Sequence, residues 1–300
     1  MLKMVKIDQL PGLDHFGALE KAWYYFRKYP IIPVAVFFLL VFVAVFAPML
    51  APFDPAQGSI RTRHIPPMWL EGGSAQHFLG TDSLGRDMLS RVMYGARIAL
   101  MVAVSVLFAG GILGTIIGMF AGYLGGLVDE IAMRTVDLLL AMPFLLVALT
   151  VVIVFGQSLT QMIILLIIFS WDNFARVVRA ESLRIRNDAY VDAARVAGAS
   201  DIRIVFRHIL PGVFGVVLIV ASLRVGQLIL IEATLSFLGA GLPKSVPAWG
   251  VMVADGQDWI TTAWWVAAVP GFMIFVVVMS FNFLGDWLRD YFDPRLRQRA

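Results

Sequence analysis

Two charged side chains, Arg224 and Glu232, interrupt the apolar run 212–238. Charge at that depth in hydrocarbon is costly and is kept where it faces protein or a water-filled path. These two are therefore the candidate pathway residues, able to meet a transported solute or a coupling ion. They stand eight residues apart, about 12 Å along a helix, which is too far to pair with each other. For Glu232 a structural hydrogen bond to a neighbouring helix is the preferred reading and a pathway role the other. Covalent chemistry finds no comparable residues. The chain has no Cys, so thiolate metal sites, disulfides and cysteine nucleophiles are excluded, while the redox compartment stays open. Its four His (His15, His64, His77, His208) are too scattered for an HExxH pair. No GxxxxGK[ST] sequence or positioned nucleophile–base set occurs, so we expect no catalytic residue, metal site or cofactor in this chain.

The elements holding these charges belong in a bilayer. The 300 residues are 59% hydrophobic and 15% charged, with a mean hydropathy of +0.81. An ordinary soluble chain carries roughly 25% charged residues. Six segments approach the ~20 apolar residues that a spanning helix needs: 31–51, 98–121, 136–155, 158–175, 212–238 and 263–284. The fourth is the weakest, because Asp172 and Asn173 follow a short apolar run. With both termini inside, 17 Lys and Arg fall in inner regions and six in outer ones, which satisfies the positive-inside rule. The chain opens without the pattern of a cleaved signal peptide, so the first span is expected to act as its own targeting signal.

The expected organisation follows: a cytoplasmic or interfacial segment 1–30, a first span 31–51, an external loop 52–96, a five-helix core 97–288 and a cytoplasmic tail 289–300. The core contains a cytoplasmic loop, 176–211. Residues 14–29 mix Trp23, Tyr24, Tyr25 and Phe26 with Lys and Arg and read as an interfacial helix. Gly110, Gly114, Gly118, Gly122 and Gly126 recur every fourth residue and form one smooth strip, which lets another backbone approach closely. The facing helix belongs either to this chain or to a partner. Pro143 predicts a kink in the third span.

The loop residues 190–211, YVDAARVAGASDIRIVFRHILP, form the most informative stretch. Its first part suits a short helix closed at Gly198 in the left-handed conformation. Ser200 can cap a second helix, with Asp201 favourable in its first turn. That helix would carry Ile202, Val205, Phe206 and Ile209 on one apolar face and stop at Pro211. A helix–Gly–helix of this kind could read DNA, but a short tether between two spans argues against nucleic acid. It suits a groove on a cytoplasmic partner instead.

The loop resembles the coupling motif of ABC-importer permeases: EAA, three residues, Gly, nine residues, I-x-L-P. Asp192, Ala193, Ala194, Gly198, Leu210 and Pro211 match in spacing, with Asp192 in place of Glu and His208 in place of Ile. HFLGTDSLGRDMLSRVMYGARIAL (77–100), ATLSFLGAGLP (233–243), PAWG (247–250) and FNFLGDWLRDYFDPRL (281–296) resemble the dipeptide, oligopeptide and nickel branch. PPMWLEGGS (66–74) is similar to its C-type dipeptide subunits. In the external block, Thr81 or Asp82 can cap a helix, while Arg86 and Arg91 face water, headgroups or acidic neighbours along the outer surface.

The resemblance implies an all-α integral membrane protein with six transmembrane helices, the type I ABC-importer permease architecture, and N- and C-termini in the cytoplasm. It implies a multi-pass inner-membrane subunit that pairs with a homologous permease and receives solute from an external binding protein. It would dock on two ATPases through Asp192, Ala193, Ala194, Arg195, Gly198 and Pro211, with ATP and magnesium held by those partners. Di- or oligopeptides are the expected cargo, with nickel or another small solute as the alternative. An ion-coupled carrier using Glu232 is the alternative of another class.

Overall fold

A computed structural model describes residues 30–292. The expected interfacial helix 14–29 and the end of the expected tail lie outside the described residues. Within them the regular structure is helical. We number the helices α1 (Ile31–Leu50), α2 (Met88–Leu124), α3 (Gly126–Ala141), α4 (Phe144–Phe155), α5 (Leu159–Ile168), α6 (Trp171–Arg186), α7 (Ala189–Val196), α8 (Asp201–Ile204), α9 (Leu210–Phe237), α10 (Trp249–Gly256) and α11 (Trp265–Phe292).

Five stretches are long and apolar enough to cross a membrane: α1, α2, α5 with α6, α8 through α9, and α11. The bent pair α3 and α4 supplies a sixth crossing when counted as one. Pro143 does more than kink this pair, for the two helices meet at 79°. The residue before a proline is driven into extended backbone, and Met142 is extended there (φ −76°, ψ 128°). The fourth span also outruns its apolar signal. It continues to Arg186, so residues 176–186 of the expected cytoplasmic loop belong to this helix.

Packing follows the small residues. α1 buries only Leu40, Ala44 and Ala47, a single stripe that meets Ala96, Ala99, Val277 and Phe281 of α2 and α11. Its other faces stay exposed, as lipid contact requires. In α2, Gly110, Gly114, Gly118 and Gly122 pack on α6 of the same chain. A methyl at Gly118 would sit 2.5 Å from the carbonyl oxygen of Ala175, and one at Gly122 would sit 2.6 Å from that of Arg179. Gly110 and Gly114 lie against Ser170 and Trp171. The four glycines thus meet a ladder on α6 with the same four-residue period, the close backbone approach that small residues allow. Gly126 is not part of that ladder. It follows Gly125, and both hold positive φ (+56° and +69°) where the chain turns from α2 into α3.

Candidate functional site

At the inner end, Ala189–Val196 forms a free-standing two-turn helix, α7. Gly198 sits at φ +80°. Its N–H donates to the carbonyl of Arg195 (3.0 Å), and that of Ala199 donates to the carbonyl of Ala194 (3.1 Å). This pair of bonds is a Schellman closure, which satisfies the carbonyls a helix would otherwise leave open. Ser200 occupies the capping position of α8, but its side chain makes no capping bond. Asp201 instead accepts from the Tyr123 hydroxyl (2.8 Å), tying the elbow to the end of α2.

The second helix departs from expectation at two points. Pro211 does not end it, because Asp201–Phe237 runs as one 37-residue helix. The ladder is re-pitched by a π turn, Val205–Ile209, in which the Leu210 N–H reaches the Val205 carbonyl. A wider turn just ahead of proline relieves the loss of its N–H and the clash with the preceding turn. The same turn rotates the apolar face. Ile204, Val205, Ile209 and Val213 are buried, whereas Ile202 and Phe206 are exposed.

The elbow is therefore anchored from beneath and open on top. Val191 is fully buried, packed with Ile185, Ile204 and Ile209. Asp192, Ala193 and Arg195 are exposed, and Val196 is 90% exposed. Arg195 bonds Asp192 at 2.7 Å, a surface pair that orients the two side chains and adds little stability.

Mid-membrane, the expected pathway residues separate. Glu232 is 1% exposed and accepts from Ser236 Oγ at 2.9 Å within its own helix. It makes no bond to a neighbouring helix among the described residues and does not line the mid-span cavity. Arg224 does line it, together with Asp172, Asn173 and Ser170 and a wall of Leu139, Met142, Phe144 and Leu228, around a volume of about 270 Å³. Arg224 Nη2 lies 3.6 Å from Asp172 Oδ1, and its Nη1 donates to Gln227 at 3.1 Å. Asp172 is the functional candidate that sequence reasoning missed. In the sequence it marks the fourth span's weakness, although a carboxylate within a span is itself the signal.

The outer end carries a collar of buried charges. Asp87, not Thr81 or Asp82, caps α2, accepting from the Ser90 N–H at 2.8 Å, and His77 bonds its other oxygen at 2.9 Å. Asp82 accepts from the backbone of Leu84 and Arg86 (2.9 Å each) and from Arg86 Nε (2.6 Å). Arg91 is 1% exposed, 3.5 Å from Asp82. Arg86 reaches Asp255 of α10 at 3.5 Å. Both arginines thus face acidic neighbours inside the protein rather than water. Trp249 donates to the Val92 carbonyl (3.0 Å) and Trp265 to that of Thr81 (3.1 Å), fastening PAWG and α11 to this collar.

Comparison with known proteins places this geometry. Residues 114–298 match the family described as binding-protein-dependent transport system inner membrane component. Residues 19–67 match the N-terminal TM domain of oligopeptide transport permease C. The dipeptide transport system permease protein DppC of Escherichia coli K12 is 43% identical over 282 residues, 93% of this chain and 94% of that one. The di/tripeptide transport system permease protein DppC of Pseudomonas aeruginosa is 38% identical over 292 residues, 97% and 96% of the two chains. Among solved structures, inward-facing MetNI methionine ABC transporter matches with a TM-score of 0.56 at 19% identity, covering 67% of this chain and 96% of that one. That likeness concerns the fold alone.

Proposed function

The chain belongs to the family of binding-protein-dependent transport system inner membrane components, multi-pass proteins of the inner membrane. From that premise we propose that it is the permease subunit of an ATP-driven importer of di- or oligopeptides. It forms half of the translocation path beside a homologous permease, receives cargo from an external binding protein, and couples to two ATP-binding subunits that hold ATP and magnesium. The peptide cargo is supported by the names of relatives at 38% and 43% identity over nearly the whole chain.

The observation that carries the coupling role is the elbow: an exposed two-turn helix on a fully buried foot at Val191. A partner's groove takes Ala193 and Val196, Asp192 and Arg195 rim it, and Gly198 fixes the angle of return. Because α8, the π turn and α9 are continuous, force on the elbow passes directly into the span bearing Arg224. Nucleotide binding then needs only to favour one elbow position to bias the facing of the whole bundle.

The test is Gly198→Val in the assembled complex. A Cβ there meets nothing within 4 Å, so the substitution acts through backbone strain at positive φ. We expect normal insertion with reduced substrate-stimulated ATPase activity and transport. A well-expressed variant with unchanged coupling would contradict the docking role. Uptake that survives ATP depletion but fails with a protonophore would favour an ion-coupled carrier instead.

A further inference from the structure

Asp172 lies at the middle of the span Leu159–Arg186 and Arg224 at the middle of α9, Leu210–Phe237, beside the Pro143 break that opens α3 from α4. Their pairing is incomplete. The separation of 3.6 Å is longer than a hydrogen bond. Asp172 is 4% exposed, yet its Oδ1 has no hydrogen-bond partner, and neither has Arg224 Nε. Buried charges are normally satisfied completely, because an unmet one carries its full desolvation cost. Here the residues that carry one unpartnered acceptor and one unpartnered donor line the same cavity.

We infer that Asp172 and Arg224 form a transit site for the zwitterionic ends of a peptide, Asp172 taking the terminal ammonium and Arg224 the terminal carboxylate. The inference rests on the peptide reading above. The exchange keeps every charge paired: the protein's own ion pair opens as the peptide's two charges enter, and closes behind them. No isolated ion is left in a low-dielectric site at either stage. Recognition at the termini also fits the apolar part of the wall, which Ser170 and Asn173 interrupt. Leu139, Met142, Phe144 and Leu228 offer apolar contact without a donor or acceptor that would select one side chain, as a carrier of many sequences needs. A metal cation fits this site poorly, since the guanidinium repels it and a single carboxylate is a meagre ligand set.

The test uses the complete complex in proteoliposomes with dialanine as cargo, at saturating loaded binding protein. Wild type must import dialanine; failure would remove the peptide reading and this inference with it. The neutral double variant D172N/R224Q should insert and assemble with a complex yield like that of the wild type. Its maximal import should fall at least tenfold, with the concentration of loaded binding protein for half-maximal rate unchanged. A merely structural pair tolerates neutral replacement, so import at the wild-type rate would overturn the inference and leave the peptide reading intact. A second measurement needs no variant. A dipeptide with a benzophenone side chain, irradiated during wild-type turnover, should form adducts at Met142 or Phe144. Adducts confined to other regions of the chain would overturn the assignment.

Discussion

The two ends of the molecule handle charge and apolar surface in opposite ways. At the outer collar, Asp82, Arg86, Asp87 and Arg91 are all buried and bond or face one another or nearby backbone, with Arg91 Nε and Nη2 left without a hydrogen-bond partner. At the elbow, Asp192 and Arg195 pair in the open, and Val196, Ile202 and Phe206 stand exposed. A buried, internally paired network spends its interactions on holding its own chain together. An exposed face on a rigid foot leaves them for another molecule. The collar is a lock, and the elbow is a handle.

Substitutions at the two ends should therefore separate stability from coupling. The largest stability loss belongs to the collar. Asp82→Ala leaves Arg86 and Arg91 short of their nearest carboxylate, and breaking a buried pair in this way costs about 3–5 kcal/mol. We expect a large fall in complex yield and melting temperature. A stable D82A complex would break the comparison at its outer end. Between the two ends, Gly118→Ile should cost about 1–3 kcal/mol by overpacking the α2–α6 seam, because Ala175 and Val178 leave no room. Unchanged thermal stability would mean that the strip does not meet α6.

Smaller still is Gly198→Val, where strain at positive φ costs about 1–2 kcal/mol. The mutant should melt near the wild type while losing stimulated ATPase activity. Last comes Val196→Glu, on a side chain that contacts little of its own protein and should alter stability by less than about 0.5 kcal/mol. It should nonetheless weaken ATPase co-purification by roughly tenfold, the size of a modest interface hot spot. Stability effects thus decline from collar to handle, whereas coupling effects do not.

Much of this architecture is legible in the residues. Apolar runs of bilayer length mark the spans, and the Lys and Arg bias orients them. The four-residue glycine period marks a packing strip, and Gly198 in a helix–turn–helix marks a left-handed closure. What escaped has a common cause, dependence on distant partners or on hydrogen-bond pitch. Arg86 reads as a surface residue until Asp255, 169 positions downstream, is brought to it. Pro211 reads as a stop because the π turn that admits it leaves no compositional trace. Asp172 reads as the end of a span because Arg224 is 52 positions away in sequence, yet beside it in space.

The central claim is that the handle touches a nucleotide-consuming partner during turnover. This chain has no native Cys, so Val196→Cys places a unique thiol on the most exposed large apolar position among the described residues. A short thiol-to-amine crosslinker added during ATP-driven import should join position 196 to an ATP-binding subunit, with a yield that changes with nucleotide. Position 196 labelling freely with a soluble thiol reagent at every stage of turnover, and never joining that subunit, would contradict the account.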